Sequence, residues 1–298
     1  MNIYDLSLRH ILVFNSVAET LSMSKSAQEL YITQPAVSQT IKDIESKFGV
    51  KLFLRKGHKL HLTEEGKELY IYTKRIMNLM ERAQVCLENF NILNKGFISI
   101  GASSTIGNYV LPSLIKSFKS KYPNIDISTF IGNTRQVIYK LRLCDIGLGL
   151  IEGLPLVDDK DIKVSKFMKD EIVFICSPDN PIAKEKSIDF ERLKKENFIC
   201  REKGSGTRQV IETQMQKVGL TIEAKYEFNT SEAIKNAVMS NLGISALSKW
   251  IVKKELKLGL LKEVKVEGLR IFRWFYLLEI GNYNKAQSMF VEHILNNK

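Results

Sequence analysis

The sequence predicts a chain in three parts: a small helical domain closed by a β-hairpin, one long helix, and a larger α/β region with two lobes. Three observations predict it. Apolar residues recur at helical spacing through the first fifty positions and then change to two short extended segments around Lys56-Gly57-His58. From Glu64 to about residue 93 there is no proline and only the early Gly66. Beyond Lys95-Gly96, strand-like and helix-like segments alternate, which implies mostly parallel sheets with sites at the strand C-terminal edge. The boundaries fall at 1–62, 63–94 and 95–298. The last region divides into a lobe formed by about 95–165 with 269–298 and a lobe formed by about 166–268.

Composition removes several classes. The 298 residues are 44% hydrophobic and 26% charged, near the globular average, so wholesale disorder is excluded. No apolar run approaches the roughly 18–20 residues of a membrane span, and Asp5 and Arg9 interrupt the apolar core a signal peptide needs. Cys86, Cys144, Cys176 and Cys200 lie far apart without a CxxC pair or a histidine at ligand spacing. Neither a disulfide framework nor a zinc site is expected, and the chain reads as cytoplasmic, without metal or cofactor. The net charge of +11 is spread, with 13 basic and 10 acidic residues in 1–95 against 31 and 23 beyond. Residues 42–59 are the local exception. There Lys42, Lys47, Lys51, Arg55, Lys56 and Lys59 face only Asp43 and Glu45, a stretch able to meet phosphates or to be a solvated face.

The elements follow in order. Leu8, Ile11, Leu12, Phe14, Val17 and Ala18 mark a first helix. Ser24 opens a short second helix over residues 25–30, and Tyr31-Ile32 makes a turn. Thr33-Gln34-Pro35 reads as an N-cap with a first-turn proline. The third helix buries Ala36, Val37, Ile41, Ile44 and Phe48, and Gly49 ends it. The long helix carries Leu69, Tyr72, Ile76, Leu79, Ala83, Cys86 and Phe90 at alternating steps of three and four. That is a coiled-coil-like seam that calls for a second chain, or for a face of its own protein. In the α/β region strands are expected at 97–101, 125–131, 146–151, 171–176, 198–201, 222–228, 243–248 and 269–280. Helices are expected at 107–121, 134–143, 190–195, from 207, at 231–240 and at 282–295.

Residues 22–41 carry the functional reading. A short helix, a tight turn and a second helix fit a helix-turn-helix, whose second helix enters the DNA major groove by its N-terminal residues. Its exposed positions are Gln34, Ser38, Gln39, Lys42 and Asp43. Glutamine pairs with adenine, serine reads donors or acceptors, and lysine reaches guanine or phosphate. Ser24, Lys25, Thr33 and Pro35 flank that surface. The hairpin with Arg55, Lys56, His58 and Lys59 resembles a wing set against the DNA backbone or minor groove. A helical hairpin with a polar face is the alternative.

Six stretches together resemble the LysR-type transcriptional regulators. They are Phe14-Asn-Ser-Val-Ala-Glu, Ser22-Met-Ser-Lys-Ser-Ala-Gln-Glu-Leu, Thr33-Gln-Pro-Ala-Val-Ser-Gln-Thr-Ile, Glu45-x-x-Phe-Gly, Leu52-Phe-x-Arg55 and Leu62-Thr-x-x-Gly66. The pattern runs unbroken for over fifty residues and continues through the rest of the chain, more loosely in residues 150–200. One departure is Gln39, where an arginine is common in the family. The resemblance implies a winged helix-turn-helix, a linker-helix dimer with tetramers favoured, and a two-lobed effector domain like a periplasmic binding protein. It also implies double-stranded DNA with a dyad-symmetric operator and RNA polymerase as partners.

Two loops of the effector half share one chemistry. Ser103, Ser104 and Thr105 lie between the first strand and its helix, where hydroxyls and free N–H groups form a carboxylate or phosphate site. Arg201-Glu202-Lys203-Gly204-Ser205-Gly206-Thr207-Arg208 repeats the arrangement with two arginines, and Asn133, Thr134 and Ser231 close the sides. A ligand-free Ser/Thr N-cap is the alternative for the first, and a glycine loop by itself carries little for the second. The sequence is similar here to the branch of sulfur-assimilation and carbon-fixation regulators, whose effectors are small anionic metabolites. An anion bridging Ser103–Thr105 and Ser205–Arg208 is therefore the expected effector.

Other classes fit less well. Ser205 lacks a GxSxG elbow, the four histidines are scattered, and neither GxGxxG nor a P-loop occurs, so no enzyme is expected. A solute-binding protein-like sensor without sequence-specific DNA binding would share the lobes but has no use for residues 1–62. Cys200, next to Arg201, leaves a redox-sensing role open.

Overall fold

The computed structural model describes residues 6–57, 59–89, 96–153, 155, 161–281 and 284–296, the side chains of 82 and 85–89 excepted. It divides near residue 93 into two compact units.

The first unit begins with α1 (Leu8–Thr20). Ser7 caps it, with Oγ accepting from the His10 N–H while the His10 ring accepts from the Ser7 N–H. Helix α2 (Met23–Glu29) starts one cap earlier than expected. Ser22 Oγ, not Ser24, accepts from a first-turn N–H, that of Lys25, at 3.3 Å. Ser24 lies inside the helix, exposed. After Tyr31, at φ +55°, Thr33 caps α3 (Gln34–Phe48) with proline in its first turn, and Gly49 ends it at φ +69°. Phe14, Val17, Val37, Ile41, Ile44 and Leu52 form the core. Ala36, expected in that stripe, is exposed. It lies about 100° around the helix from Val37, and the first turn of α3 projects past the core. Strands β1 (Phe53–Lys56) and β2 (Lys59–Leu62) pair antiparallel, with Gly57 at φ +63° in the turn. Helix α4 (Glu64–Asn89) follows.

The second unit is built on one nine-stranded sheet. Its strands are β3 (Gly96–Ser103), β4 (Ile125–Gly132), β5 (Leu148–Glu152), β6 (Ile162–Cys176), β7 (Phe198–Arg201), β8 (Ala224–Phe228), β9 (Ile244–Ser248), β10 (Lys262–Val264) and β11 (Ile271–Ile280). The order is β4-β3-β5-β11-β6-β9-β7-β8, with β10 against β6. β3, β4 and β5 are parallel, as are β7, β8 and β9, while β6 and β11 run antiparallel to each other and to their neighbours. These two long strands pass between the halves. The expected lobe border at 165–166 therefore falls inside β6, whose first nine residues were not anticipated as strand. They intersperse lysines among single apolar residues and lack the continuous apolar run of 172–176.

Each half has its own core. Ile98, Ile100, Leu148, Phe118, Phe275 and Phe290 fill the first, under α5 (Ser104–Tyr109), α6 (Leu111–Lys121) and α12 (Lys285–Asn296). The second half buries Phe174, Phe198 and Val210 on one face and Ile199, Ile234 and Leu247 on the other. Its helices are α8 (Phe190–Lys194), α9 (Gly206–Lys217), α10 (Ser231–Met239) and α11 (Lys249–Leu258), the last not expected. The single helix expected at 107–121 is two, α5 and α6. They break at Val110, two residues ahead of Pro112, which has no N–H to carry the hydrogen-bond ladder of α5 onward and sits in the first turn of α6. Helix α7 (Thr134–Arg142) joins β4 to β5. Among the described residues no helix is long and apolar enough to cross a membrane, and no group of three or more His, Cys, Asp or Glu stands where a metal could be held.

Candidate DNA interface and effector site

On the first unit, Ser24, Lys25, Thr33, Gln34, Pro35, Gln39, Lys42, Arg55 and Lys56 are exposed and Ser38 is half-buried. Thr33 Oγ1 is committed to the cap, accepting from the Ala36 N–H at 3.4 Å. Gln39 Nε2 donates to Asp43 Oδ1 at 2.7 Å, so its amide is oriented along the helix face before any base approaches. His58 lies outside the described residues. Tyr31, given only a turn role by the sequence, is 95% exposed beside the start of α3. Its signal was there: an aromatic in a turn that no core pattern requires.

Glu45 fixes the wing to the recognition helix. Its Oε1 accepts from the N–H groups of Leu52 at 2.9 Å and Phe53 at 3.3 Å, and its Oε2 meets Lys51 Nζ at 2.6 Å. Burial pushes this carboxyl up. The Lys51 ion pair and the two N–H donors outweigh that and hold it below the usual carboxylate range.

Along α4 the seam residues separate. Leu69 packs against the core of the first unit. Tyr72, Ile76 and Leu79 stand 59%, 41% and 56% exposed on this single chain, with Ala83 exposed as well, and Met80 adds to the stripe. Phe90 lies outside the described residues, as does the Cys86 side chain.

In the second unit a buried polar centre joins the two halves of the sheet. Arg273, on β11, donates from Nε to Asp170 Oδ2 at 2.7 Å, from Nη1 to Thr207 Oγ1 at 2.8 Å and from Nη2 to Thr105 Oγ1 at 3.5 Å. Ser248 Oγ donates to the other Asp170 oxygen at 2.8 Å. Burial raises the Asp170 carboxyl above its ordinary range against the pull of Arg273. Glu152, at the end of β5, accepts from Thr105 Oγ1 at 3.0 Å and from Ser103 Oγ, and its carbonyl accepts from Thr134 Oγ1 at 3.0 Å. Gly206 lies directly against it, for a Cβ there would sit 2.1 Å from the Glu152 carbonyl oxygen. Ser205 Oγ is buried with no hydrogen-bond partner among the described residues.

The expected side residues form a second cluster. Arg201 grips Glu202 with two bonds, at 2.8 and 3.1 Å, and donates to Ser231 Oγ at 3.3 Å. Asn133 Nδ2 donates to the same Glu202 at 3.3 Å. Ser104 Oγ donates to the Gly132 carbonyl at 3.1 Å. Tyr109, at the end of α5, donates to Glu232 of α10 at 2.7 Å, and burial followed by that carboxylate pushes its hydroxyl up to about 12.

Arg208 is a correction. It was expected to face Ser103–Thr105, but it pairs with Glu212 at 2.7 Å and Glu227 at 2.5 Å, neutralised beside the β7–β8 edge. One residue on from Thr207, and so about 100° around α9, its side chain reaches the Arg201 carbonyl and Glu227 instead. The cation that both loops share is Arg273, missed because it stands inside the apolar run expected as a strand. The signal was a charge buried in such a run, which is rare unless paired, and Asp170 is the pair. Ser103 is also not a helix cap by its side chain, since its hydroxyl goes to Glu152. Cys200 makes a poor redox sensor: burial pushes its thiol up to about 11, so the reactive thiolate is scarce.

A winged helix-turn-helix followed by a two-lobed α/β domain with a polar centre between its halves defines a ligand-responsive DNA-binding regulator. The matches to known families agree. "Bacterial regulatory helix-turn-helix protein, lysR family" covers residues 8–67, and "LysR substrate binding domain" covers residues 93–283. The chain belongs to the LysR family of transcriptional regulators. It is 35% identical over 286 residues to a "Probable RuBisCO transcriptional regulator" of Cyanidioschyzon merolae, spanning 95% of this chain and 94% of that one. It is 32% identical over 280 residues to the transcriptional regulator CysL of Bacillus subtilis, spanning 94% and 88%. The regulatory domain of Synechocystis CcmR in complex with 2-PG superposes with a TM-score of 0.62 at 26% identity, over 67% of this chain and 96% of that one. Full-length CbnR complexed with its target DNA gives a TM-score of 0.69 at 16% identity, over 98% and 100%, a likeness of fold.

Proposed function

We propose that this regulator reads a dyad-symmetric operator as a homodimer or homotetramer and answers a small anionic metabolite held between the lobes of its second unit. It acts in the cytoplasm, by binding and not by catalysis, and passes its signal to RNA polymerase. Gln34, Ser38, Gln39 and Lys42 read base edges, and Lys25, Arg55, Lys56 and His58 meet the backbone. Tyr72, Ile76, Leu79, Ala83 and Phe90 form the dimer seam. The observation that carries the effector half is Arg273, a buried cation bonded to a hydroxyl from each of the two loops. A ligand that changes those bonds binds the open and closed cleft unequally, which is the condition for shifting an equilibrium. The anionic class is supported by CcmR, whose regulatory domain binds 2-PG.

Gel shifts on promoter fragments, with and without 2-PG and related small anions, test the whole reading. A ligand-dependent change that Thr105→Val erases, with basal binding intact, is the expected result. Absence of any sequence-selective complex rejects it. For the seam, Ile76→Glu with Leu79→Lys is expected to abolish the oligomer in sedimentation, and an unchanged assembly rejects that interface. A dimer presents its recognition helices to half-sites about 34 Å apart or multiples of it.

A further inference from the structure

The proposed effector site is not uniformly a cradle for anions; the side chains on its two sides have opposite hydrogen-bonding character. On the side of the first half-sheet the hydroxyl donors are spent. A hydroxyl has one proton to give, and Ser103 and Thr105 both give theirs to Glu152. Thr105 Oγ1 then accepts from Arg273. What the side chains here have left over is acceptors, because a carboxylate offers about four lone-pair positions and these hydroxyls fill two. Glu152 is only 2% exposed, so its remaining positions do not face bulk water.

The α9 side is the reverse. Ser205 Oγ, on a residue 3% exposed, has no hydrogen-bond partner among the described residues and does not cap its own helix. The N–H groups of the first turn of this 12-residue helix have no acceptor within it. Thr207 Oγ1 accepts from Arg273, so its own proton is free for another acceptor. The two sides are in contact, because Gly206 stands against the Glu152 carbonyl and Gly153 against Gly206.

We propose that Glu152 makes the site selective for an anion that also carries a hydrogen-bond donor: a small hydroxy acid or its phosphate ester, with the anionic group on the Ser205–Thr207 and Arg273 side and a hydroxyl donating to Glu152. This rests on the anion-effector reading above and sharpens it. A bare oxyanion satisfies the α9 side but turns its remaining oxygens toward the Glu152 carboxylate. Both partners then lack a proton between them, which is the unpaired buried contact that a polar site rejects most strongly.

The test uses the full-length protein and matched probes differing in one hydroxyl: 3-phosphoglycerate against 3-phosphonooxypropionate, and lactate against propionate, by calorimetric titration. The hydroxyl-bearing member of at least one pair is expected to bind about tenfold tighter or more. Glu152→Gln, whose amide adds a donor where the carboxylate had only acceptors, is expected to shrink that gap and tighten the hydroxyl-free member. Ser205→Ala, a control at the opposite side, is expected to weaken both members alike and keep the gap. Equal affinity within both pairs, or a gap that survives Glu152→Gln in a variant with a wild-type unfolding midpoint, overturns the inference and leaves the anion reading standing. If the Glu152→Gln protein does not fold, the wild-type pair comparison still decides. Silence of all four probes at millimolar concentration overturns the inference along with the anion reading for this class.

Discussion

The two units offer themselves to partners in opposite ways. In the first, the residues proposed to touch DNA fall within residues 24–58 and, where described, are almost all exposed. In the second, Thr105, Glu152, Asp170, Thr207 and Arg273 come from segments as much as 168 positions apart and are all buried. A surface that reads a rigid duplex is built by local chemistry: caps at Ser22 and Thr33, a proline, a left-handed glycine. A centre that responds to a small molecule is built by topology, since only the return of β11 beside β6 brings Arg273 to Asp170. The first unit is expected to lose a DNA contact without losing its fold. The second unit uses the same residues for its fold and for its proposed ligand.

The largest expected effect tests that last point. Arg273→Met keeps the side-chain stem and removes the charge, leaving Asp170 buried without its partner. A loss of about 3–5 kcal/mol is expected in urea denaturation of the second unit. The carboxyl is already raised by burial, and without Arg273 it rises further, so the folded variant binds a proton more readily than the unfolded chain. Stability of the variant should therefore be best near and below the unfolded carboxyl range and fall as pH rises through the folded value. The deficit against wild type is expected to be smaller at pH 5 than at pH 8. A variant as stable as wild type at both would make the centre a bystander to the fold and break the contrast with the first unit.

Base reading comes next. Ser38→Ala with Gln39→Ala is expected to cost about 1–3 kcal/mol per lost base contact on the specific site. Melting of the first unit should hardly change, since Gln39 bonds only to Asp43 across an exposed face. Fluorescence anisotropy on specific and scrambled duplexes separates the two effects. Full affinity and selectivity in the double variant would mean the recognition helix is misassigned.

The contrast also explains what the sequence could and could not tell. Helix caps and the wing were legible because each is a local rule. The exceptions were small: the cap at Ser22 instead of Ser24, and Ala36 outside the core. In the α/β region the alternation was legible, and so were Ser103–Thr105 and Ser205–Thr207 as paired loops. The cation between them was not. Arg208 lies in the motif and Arg273 does not, and only their contacts show that Arg273, and not Arg208, reaches both loops. Glu152 escaped for the same reason, as the last residue of an apolar strand whose carboxylate is given meaning by residues 47 and 49 positions earlier.

A subtler effect is expected at Glu45, where the first unit depends on one buried carboxylate much as the second does. Glu45→Gln removes the Lys51 ion pair and weakens the acceptor for two wing N–H groups, with an expected loss of about 1–3 kcal/mol. Because the folded carboxyl is held below its usual range, its contribution is complete above the unfolded value of about 4.3 and disappears as pH falls through the folded one. The gap between wild type and variant should thus be full at pH 7 and close in acid. A gap that does not change with pH would assign the loss to shape and not to charge.

The smallest effect concerns Tyr31, and it separates surface function from fold most cleanly. The side chain is 95% exposed, so removing its hydroxyl leaves the core untouched. It stands in the turn before α3, where its phenol is expected to donate to a backbone phosphate. Tyr31→Phe is expected to leave the melting midpoint unchanged and weaken DNA binding by about 0.5–1.5 kcal/mol, equally on specific and nonspecific duplexes. Tyr31→Gly adds a second readout. The residue sits at φ +55°, a conformation that costs a non-glycine side chain about 1 kcal/mol or more, so glycine should hold or raise the stability of the first unit while losing the same phosphate contact. Stability and affinity would then move apart at a single position. If both variants bind as wild type does, the exposed tyrosine has no part in the interface. If Tyr31→Gly unfolds the unit, the turn needs the side chain, and the separation of surface from core drawn for the first unit fails at that point.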